Sequence, residues 1–532
     1  MLRRTNHLIY TKADRAINSC FNSNRFAWEA FIEVSLRYYF LRIPADKFMQ
    51  LNILKRKDLL LSAVVFLVCF LLRILYISDR DFALDEPFTL YYSQQSIQEI
   101  IGLLYNENNP PLHFIFLHLW IKAFGMSVFS VRLPSVIFSS FTAVMLYLTG
   151  TKFFNRDTGV TAAAILTLSS MHVFFAHEAR VYPLFVLLTA CSLFSFLSIL
   201  NEPEKKSNYY CLFFANLFLI YSHYFGFYVV FIEAVSIFFT SNTKRYRKNI
   251  FILFLLLGVS YLPMLFVFVH RFGTSVTQGT WVAPPGFTEV YGNINRFINT
   301  RNNTAVLILL FAVSSVILYK KQLIKQKYLQ ISSNRNFKIV LSWFLVPYLL
   351  MFLVSFRYPM FIDRYILYTS IPLYLVIAFL LGSIQVSQKL KLVMVLIFLA
   401  GMAGTLQLNP DNNRRLKQVA TVVKANKNSG TVVFIAPHYA YVGFTYHYDL
   451  DLFKDAQNTV MRLENDNVFP VSDTARVSEI LLRETPDNCI YVQAGTEFTD
   501  PDNTIFNYIS SRYKNKKLTH VYEIYNIYYF YN

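Results

Sequence analysis

From Leu59 to Leu406 the chain repeats one pattern, an apolar run of about twenty residues followed by a short polar or basic interval. A run of that length, coiled at 1.5 Å per residue, crosses a hydrocarbon layer of roughly 30 Å. The pattern predicts about 11 membrane spans, near 59–77, 130–150, 158–176, 180–200, 208–222, 224–240, 249–269, 304–319, 338–356, 365–384 and 389–407. One more apolar segment, Pro111–Phe124, is too short to cross, because about fourteen residues reach only ~21 Å. Pro110-Pro111 and Gly125 give it definite ends, as expected of a re-entrant or interfacial helix within a large outer loop, 78–129. After Leu408 hydropathy drops. A helical stretch at Leu416–Lys427 and strand-like runs at Thr431–Ala436, Ile490–Gln493 and Val521–Phe530 predict a small α/β domain. The expected fold class is therefore an all-α polytopic membrane protein with a C-terminal α/β domain. It divides into a cytoplasmic arm at 1–58, a membrane domain at 59–407 and an extracytoplasmic domain at 408–532. Met49, just before Lys55-Arg56-Lys57, is an alternative start, and no function is placed on the arm.

Composition sharpens this picture. The chain is 55% hydrophobic and only 15% charged, which excludes a soluble cytosolic enzyme. Within the apolar region, the basic residues that contribute to its net charge of +18 fall in short loops between apolar runs. With the N-terminus inside, Lys152 and Arg156, Lys205 and Lys206, the 244–248 cluster, the 320–335 cluster, and Lys389 and Lys391 all fall on the cytoplasmic face, as the positive-inside rule requires. The basic residues are then topological signals, and nucleic acid is not an expected partner. Five scattered cysteines support neither a disulfide framework nor a zinc cluster.

Chemistry is sought in the outer loops. Leu84-Asp85-Glu86-Pro87 follows the first span, and an acidic pair beside a bilayer suits a general base or a metal ligand; a helix N-terminus favoured by its dipole is the plainer alternative. His177-Glu178-Ala179-Arg180-Val181-Tyr182 and Asp363-Arg364-Tyr365 put two arginines at one membrane depth. There they either grip a phosphate or snorkel and pair locally. Ser222-His223-Tyr224 is a tight outer turn whose His223 and Tyr224 either face the same cavity or serve packing. His113, after Asn109-Pro110-Pro111-Leu112, opens the short helix.

In order and spacing, these motifs resemble the membrane glycosyltransferases of the GT-C fold, specifically the bacterial relatives of the protein O-mannosyltransferases and the lipid A aminoarabinose transferase. The resemblance covers roughly 59–407, and Asn109 stands where a histidine is usual. It implies a GT-C-like transferase, hexosyl or pentosyl, that inverts the anomeric carbon of a polyprenyl-phosphate sugar donor. The acceptor is a lipid, glycan or protein, and the site is the outer face of a bacterial inner membrane. On that resemblance Asp85 is the base and Glu86 orients the acceptor or assists a metal. Arg180 and Arg364 neutralise the departing lipid phosphate, and Tyr182, His223, Tyr224, Tyr365 and His113 line the cavity. A divalent metal ion is the one cofactor left open. The alternatives are a transporter or flippase of lipid-linked saccharide, which would call for paired discontinuous helices or inverted repeats, and a glycan ligase on a similar scaffold.

Overall fold

The computed structural model describes residues 56–82, 85–103, 109–239, 244–278, 282–320, 323–384, 386–409, 415–522 and 524–532. The expectations for the N-terminal arm and for Met49 lie outside the described residues, apart from 56–58. Residues 62–532 form one compact unit that holds both the apolar helices and a C-terminal sheet.

Every predicted span is helical, yet length and composition single out fewer crossings than eleven. Among the described residues, six helices are long and apolar enough: Val128–Phe153, Tyr182–Asn201, Arg247–Gly273, Arg301–Lys320, Arg335–Val354 and Asp363–Gly382. A seventh crossing is counted if Arg156–Thr167 and Ser170–Ala176, bent by 61°, form one span. The other apolar segments fold into shorter helices, Lys206–Ser222, Gly226–Phe239 and Gln388–Gly404, of 17, 14 and 17 residues. The first segment begins at the charged Arg56, Lys57 and Asp58 and carries Arg73 in its last turn.

Local chemistry sets several helix ends. Ser127, Asn155, Asn334 and Ser387 each accept a backbone amide at the start of a helix. Leu112–Phe124 stops at Gly125, whose φ of 76° is the left-handed region a side chain disfavours. Close packing follows from small residues: a Cβ on Gly150 would lie 2.5 Å from Gly159 Cα, so the helices on either side of Phe154-Asn155 touch backbone to backbone.

The bend after Thr167 leaves helix-end carbonyls without a helical partner at membrane depth. Arg73, fully buried, answers them, donating from Nη2 to Leu166 O at 2.9 Å and from Nη1 to Thr167 O at 3.4 Å, while its Nε donates to Ser139 Oγ at 2.8 Å. The bent second half then delivers the turn 177–181 to the end of the bundle where the site lies.

The C-terminal region builds one five-stranded sheet from β1 (Thr431–Ala436), β2 (Val468–Pro470), β3 (Asn488–Ala494), β4 (Asn515–Tyr522) and β5 (Tyr525–Tyr531), in the order β2-β1-β3-β5-β4. The first three are parallel, with Val433 opposite both Val468 and Ile490, and β5 runs antiparallel to β3 with Tyr491 opposite Tyr528. Alternation decides the layers. Val433, Ile435, Ile490 and Val492 pack toward helices Leu416–Asn426 and Tyr441–Tyr448, while Val432, Phe434, Cys489 and Tyr491 pack toward Thr474–Glu484 and Thr504–Ser510. The run predicted as one strand, Val521–Phe530, instead joins the end of β4 to most of β5, the two arms of a hairpin. Continuous β-branched and aromatic composition hid the reversal.

Candidate active site

Asp85 opens the helix Asp85–Ser93, whose fifth residue, Thr89, donates its hydroxyl back to the Asp85 carbonyl at 3.0 Å. The Asp85 carboxylate is half exposed, and two arginines from distant parts of the chain converge on it. Arg364 Nη1 donates to Asp85 Oδ2 at 2.9 Å, and Arg180 Nη2 lies 3.6 Å from the same oxygen. Arg180 is held from below: its Nη1 donates to the Asp85 carbonyl at 3.2 Å and to Thr89 Oγ1. The three groups singled out as base and phosphate clamp therefore meet at one point.

Glu86 does not join them. Its side chain is 1% exposed and turned away from Asp85, accepting from Arg132 Nε at 2.9 Å and Nη2 at 2.8 Å and from the Ala179 amide at 2.9 Å. Arg132 in turn donates Nη1 to the carbonyls of Ile77 and Arg80, both at 2.9 Å, and covers the Phe82 ring at 4.8 Å. A carboxylate so enclosed is a structural anchor with no path to an acceptor or a metal. It joins the loop before the Asp85 helix to the turn that carries Arg180.

An aromatic wall flanks the arginines. His223 stacks on Phe185 and Phe225, each at 4.9 Å, lies 6.1 Å from Tyr182, and meets Tyr365 edge-on at 5.8 Å. Arg180 sits 5.8 Å from the Tyr182 ring and Arg364 5.5 Å from the Tyr365 ring. Two expected cavity residues depart from this cluster. Tyr224 packs edge-on against Phe268, and His113, buried, places Nε2 3.5 Å from the Ala179 carbonyl, behind the Arg180 turn.

The residues do not make a metal site. Asp85 already faces two guanidinium groups, Glu86 is bound by Arg132, and among the described residues no group of three His, Cys, Asp or Glu side chains is placed to hold an ion.

Two participants escaped the sequence reading. Thr89 stands four residues after Asp85, hence on the same helix face. Arg132 lies inside an apolar span, where an unpartnered guanidinium is costly, so its presence called for a buried acid.

A family model described as dolichyl-phosphate-mannose-protein mannosyltransferase matches residues 108–269, a stretch that includes the Arg180 turn, the His223 turn and the helices between them. Solved structures are similar over most of the chain. The apo ArnT of Cupriavidus metallidurans superimposes with a TM-score of 0.56 at 11% identity, covering 88% of this chain and 97% of that one. The same ArnT bound to undecaprenyl phosphate gives 0.54 at 10%, with the same coverage. The apo oligosaccharyltransferase of Archaeoglobus fulgidus gives 0.50 at 10%, covering 89% and 75%. No curated protein matches by sequence. The chain thus has the fold of the GT-C membrane glycosyltransferases, in agreement with the resemblance carried by its motifs.

Proposed function

We propose that this GT-C-fold protein transfers a sugar from a polyprenyl-phosphate carrier to a hydroxyl or amine of a lipid, glycan or protein acceptor. The observation that carries the reading is the convergence of Arg364 Nη1 at 2.9 Å and Arg180 Nη2 at 3.6 Å on one oxygen of Asp85. Two guanidinium groups that hold one carboxylate oxygen have the charge and the donor geometry for a phosphate oxygen. The ArnT of similar fold that binds undecaprenyl phosphate supports this choice of carrier.

In the proposed reaction the phosphate of the donor takes over the arginine contacts and releases Asp85. The acceptor oxygen or nitrogen attacks the anomeric carbon from the face opposite the phosphate, and Asp85 takes the proton it loses. The bond from the anomeric carbon to the phosphate oxygen breaks, its electron pair leaving with the polyprenyl phosphate. Arg180 and Arg364 are aimed at the oxygen where that charge develops, which is where fixed cations lower a barrier most.

The same contacts support the eleven-crossing topology. Tyr91 Oη donates to the Ala456 carbonyl at 2.7 Å, so the loop after the first apolar helix and the region after the last share one side of the membrane. An even number of crossings must then separate them. Arg180, His223 and Arg364 gather near Asp85, which favours a topology in which the bent pair and the shorter helices Lys206–Ser222 and Gly226–Phe239 also cross. The positive-inside rule makes the shared side the outer face of the plasma membrane.

The test is incubation of membranes with a panel of radiolabelled polyprenyl-phosphate sugars, followed by identification of the labelled product. Transfer from at least one donor, absent with Asp85→Asn, is the expected result; no transfer from any donor overturns the reading.

A further inference from the structure

The C-terminal domain rests on the helix that carries Asp85. His447 places Nε2 2.8 Å from the Phe82 carbonyl, and because a carbonyl only accepts, this nitrogen carries the proton. The neighbouring Tyr446 meets the Phe82 ring edge-on at 4.8 Å, and the Arg132 guanidinium lies over the ring at the same distance, so Phe82 touches both the domain and the buried Glu86–Arg132 pair. Further along, Tyr91 Oη donates to Ala456 O at 2.7 Å, Tyr441 Oη donates to Tyr91 Oη at 3.2 Å, and Gln94 Nε2 donates to Phe453 O at 3.3 Å. The Lys417 amide donates to Asp81 Oδ2 at 3.2 Å. The two surfaces are in contact: a Cβ on Gly443 would lie 3.8 Å, van der Waals distance, from Cγ of Pro87, two residues past Asp85. Leu90, Tyr91, Val442 and Phe453 share one buried cluster across this contact.

These bonds have a common geometry. They hold Asp81 and Phe82 ahead of the Asp85 helix and Tyr91 and Gln94 at its far end, and helical spacing leaves the Asp85 carboxylate on the opposite face, toward the arginines. A helix of nine residues lacks the length to be stable by itself, so its orientation comes from what it packs on. We propose that the C-terminal domain is a positioning part of the site, with His447 and Tyr441 as the residues that fix the Asp85 helix at the distance where its carboxylate meets Arg180 and Arg364. This rests on the glycosyl-transfer reading for its effect on rate, though not for its effect on the helix.

The test compares the full-length protein with His447→Leu, His447→Gln, Tyr441→Phe and the double variant Tyr441→Phe/His447→Leu in detergent or nanodiscs. Two quantities are read: amide hydrogen exchange of residues 85–94, and kcat and KM for transfer from a polyprenyl-phosphate sugar. The double variant is expected to exchange the amides of the Asp85 helix about tenfold faster and to lose about tenfold in kcat, with donor KM within about twofold. Gln, whose amide nitrogen reaches the place of Nε2, restores both. Unchanged exchange in the double variant overturns the clasp, and so does failure of His447→Gln to restore what His447→Leu loses. Faster exchange with unchanged kcat overturns the positioning role and leaves the transferase reading standing. If the unaltered chain transfers sugar from no donor, the transferase reading falls, and exchange alone still decides whether the domain holds the helix.

Discussion

Arg132 closes on Glu86 with two charge-assisted bonds of 2.9 and 2.8 Å, both side chains 1% exposed, one residue away from an Asp85 that is half open to solvent. Adjacent carboxylates thus have opposite tasks. The backbone twist at the start of the Asp85 helix separates them, sending one side chain to the core and one to the arginines.

Breaking the buried pair should therefore damage folding. Glu86→Ala or Arg132→Ala leaves an uncompensated buried charge, a loss of about 3–5 kcal/mol. The expected result is a large fall in yield and melting temperature of the solubilised protein, followed by thermal unfolding. A melting curve like that of the unaltered protein would show that the pair is dispensable.

Asp85→Asn should do the reverse. The substitution keeps size and removes basicity, so transfer is expected to fall by about 10²–10⁴ while the melting temperature changes little, because the side chain is half exposed and the amide oxygen still accepts from Arg364. Rate and melting curve measured on one preparation decide the matter.

Arg364→Lys keeps the charge and loses the planar fork. On the proposed reading it weakens use of the donor about tenfold or more, seen in kcat/KM for the polyprenyl-phosphate sugar, and Arg180→Ala costs at least as much because Arg180 is also bonded to Thr89. Unchanged kinetics in both variants would remove the phosphate clamp.

Glu233 is fully buried among apolar helices, accepting from Asn216 Nδ2 at 2.6 Å and bonded to Ser192, whose hydroxyl also reaches Asn216 Oδ1 at 2.7 Å. This ring ties three helices. Glu233→Gln preserves it, since the amide donates to Ser192 and its carbonyl accepts from Asn216. Glu233→Ala strands both partners, at about 1–3 kcal/mol. Thermal melts should rank the unaltered chain and Gln together, well above Ala.

His447 gives the contact between the C-terminal domain and the Asp85 loop a pH dependence. Burial holds its imidazole below the ordinary range and Lys417 adds to that, against the Phe82 carbonyl, Asp81 and Glu86, which pull upward. The folded chain therefore declines a proton that the unfolded chain accepts. Its contribution to stability is complete above the unfolded value of about 6.5 and is lost as pH falls below it. Melting temperature should rise between about pH 5 and pH 7, with a smaller rise in His447→Gln.

The sequence by itself determined the helical membrane region, the short helix at Leu112–Phe124 and the strand Thr431–Ala436, and it singled out Asp85, Arg180 and Arg364, which the fold brings together. These were legible because hydropathy and its period are local properties, and because a charge at membrane depth is rare enough to mark itself. Only the tertiary structure decided that Glu86 is an anchor, that Tyr224 and His113 turn from the wall that His223 joins, and that the last strand-like run is split between the two arms of a hairpin. It alone brought Tyr91 to Ala456, 365 residues away. The direction of a side chain at a helix start, and the partner found across hundreds of residues, depend on packing between distant segments, which no window along the chain contains.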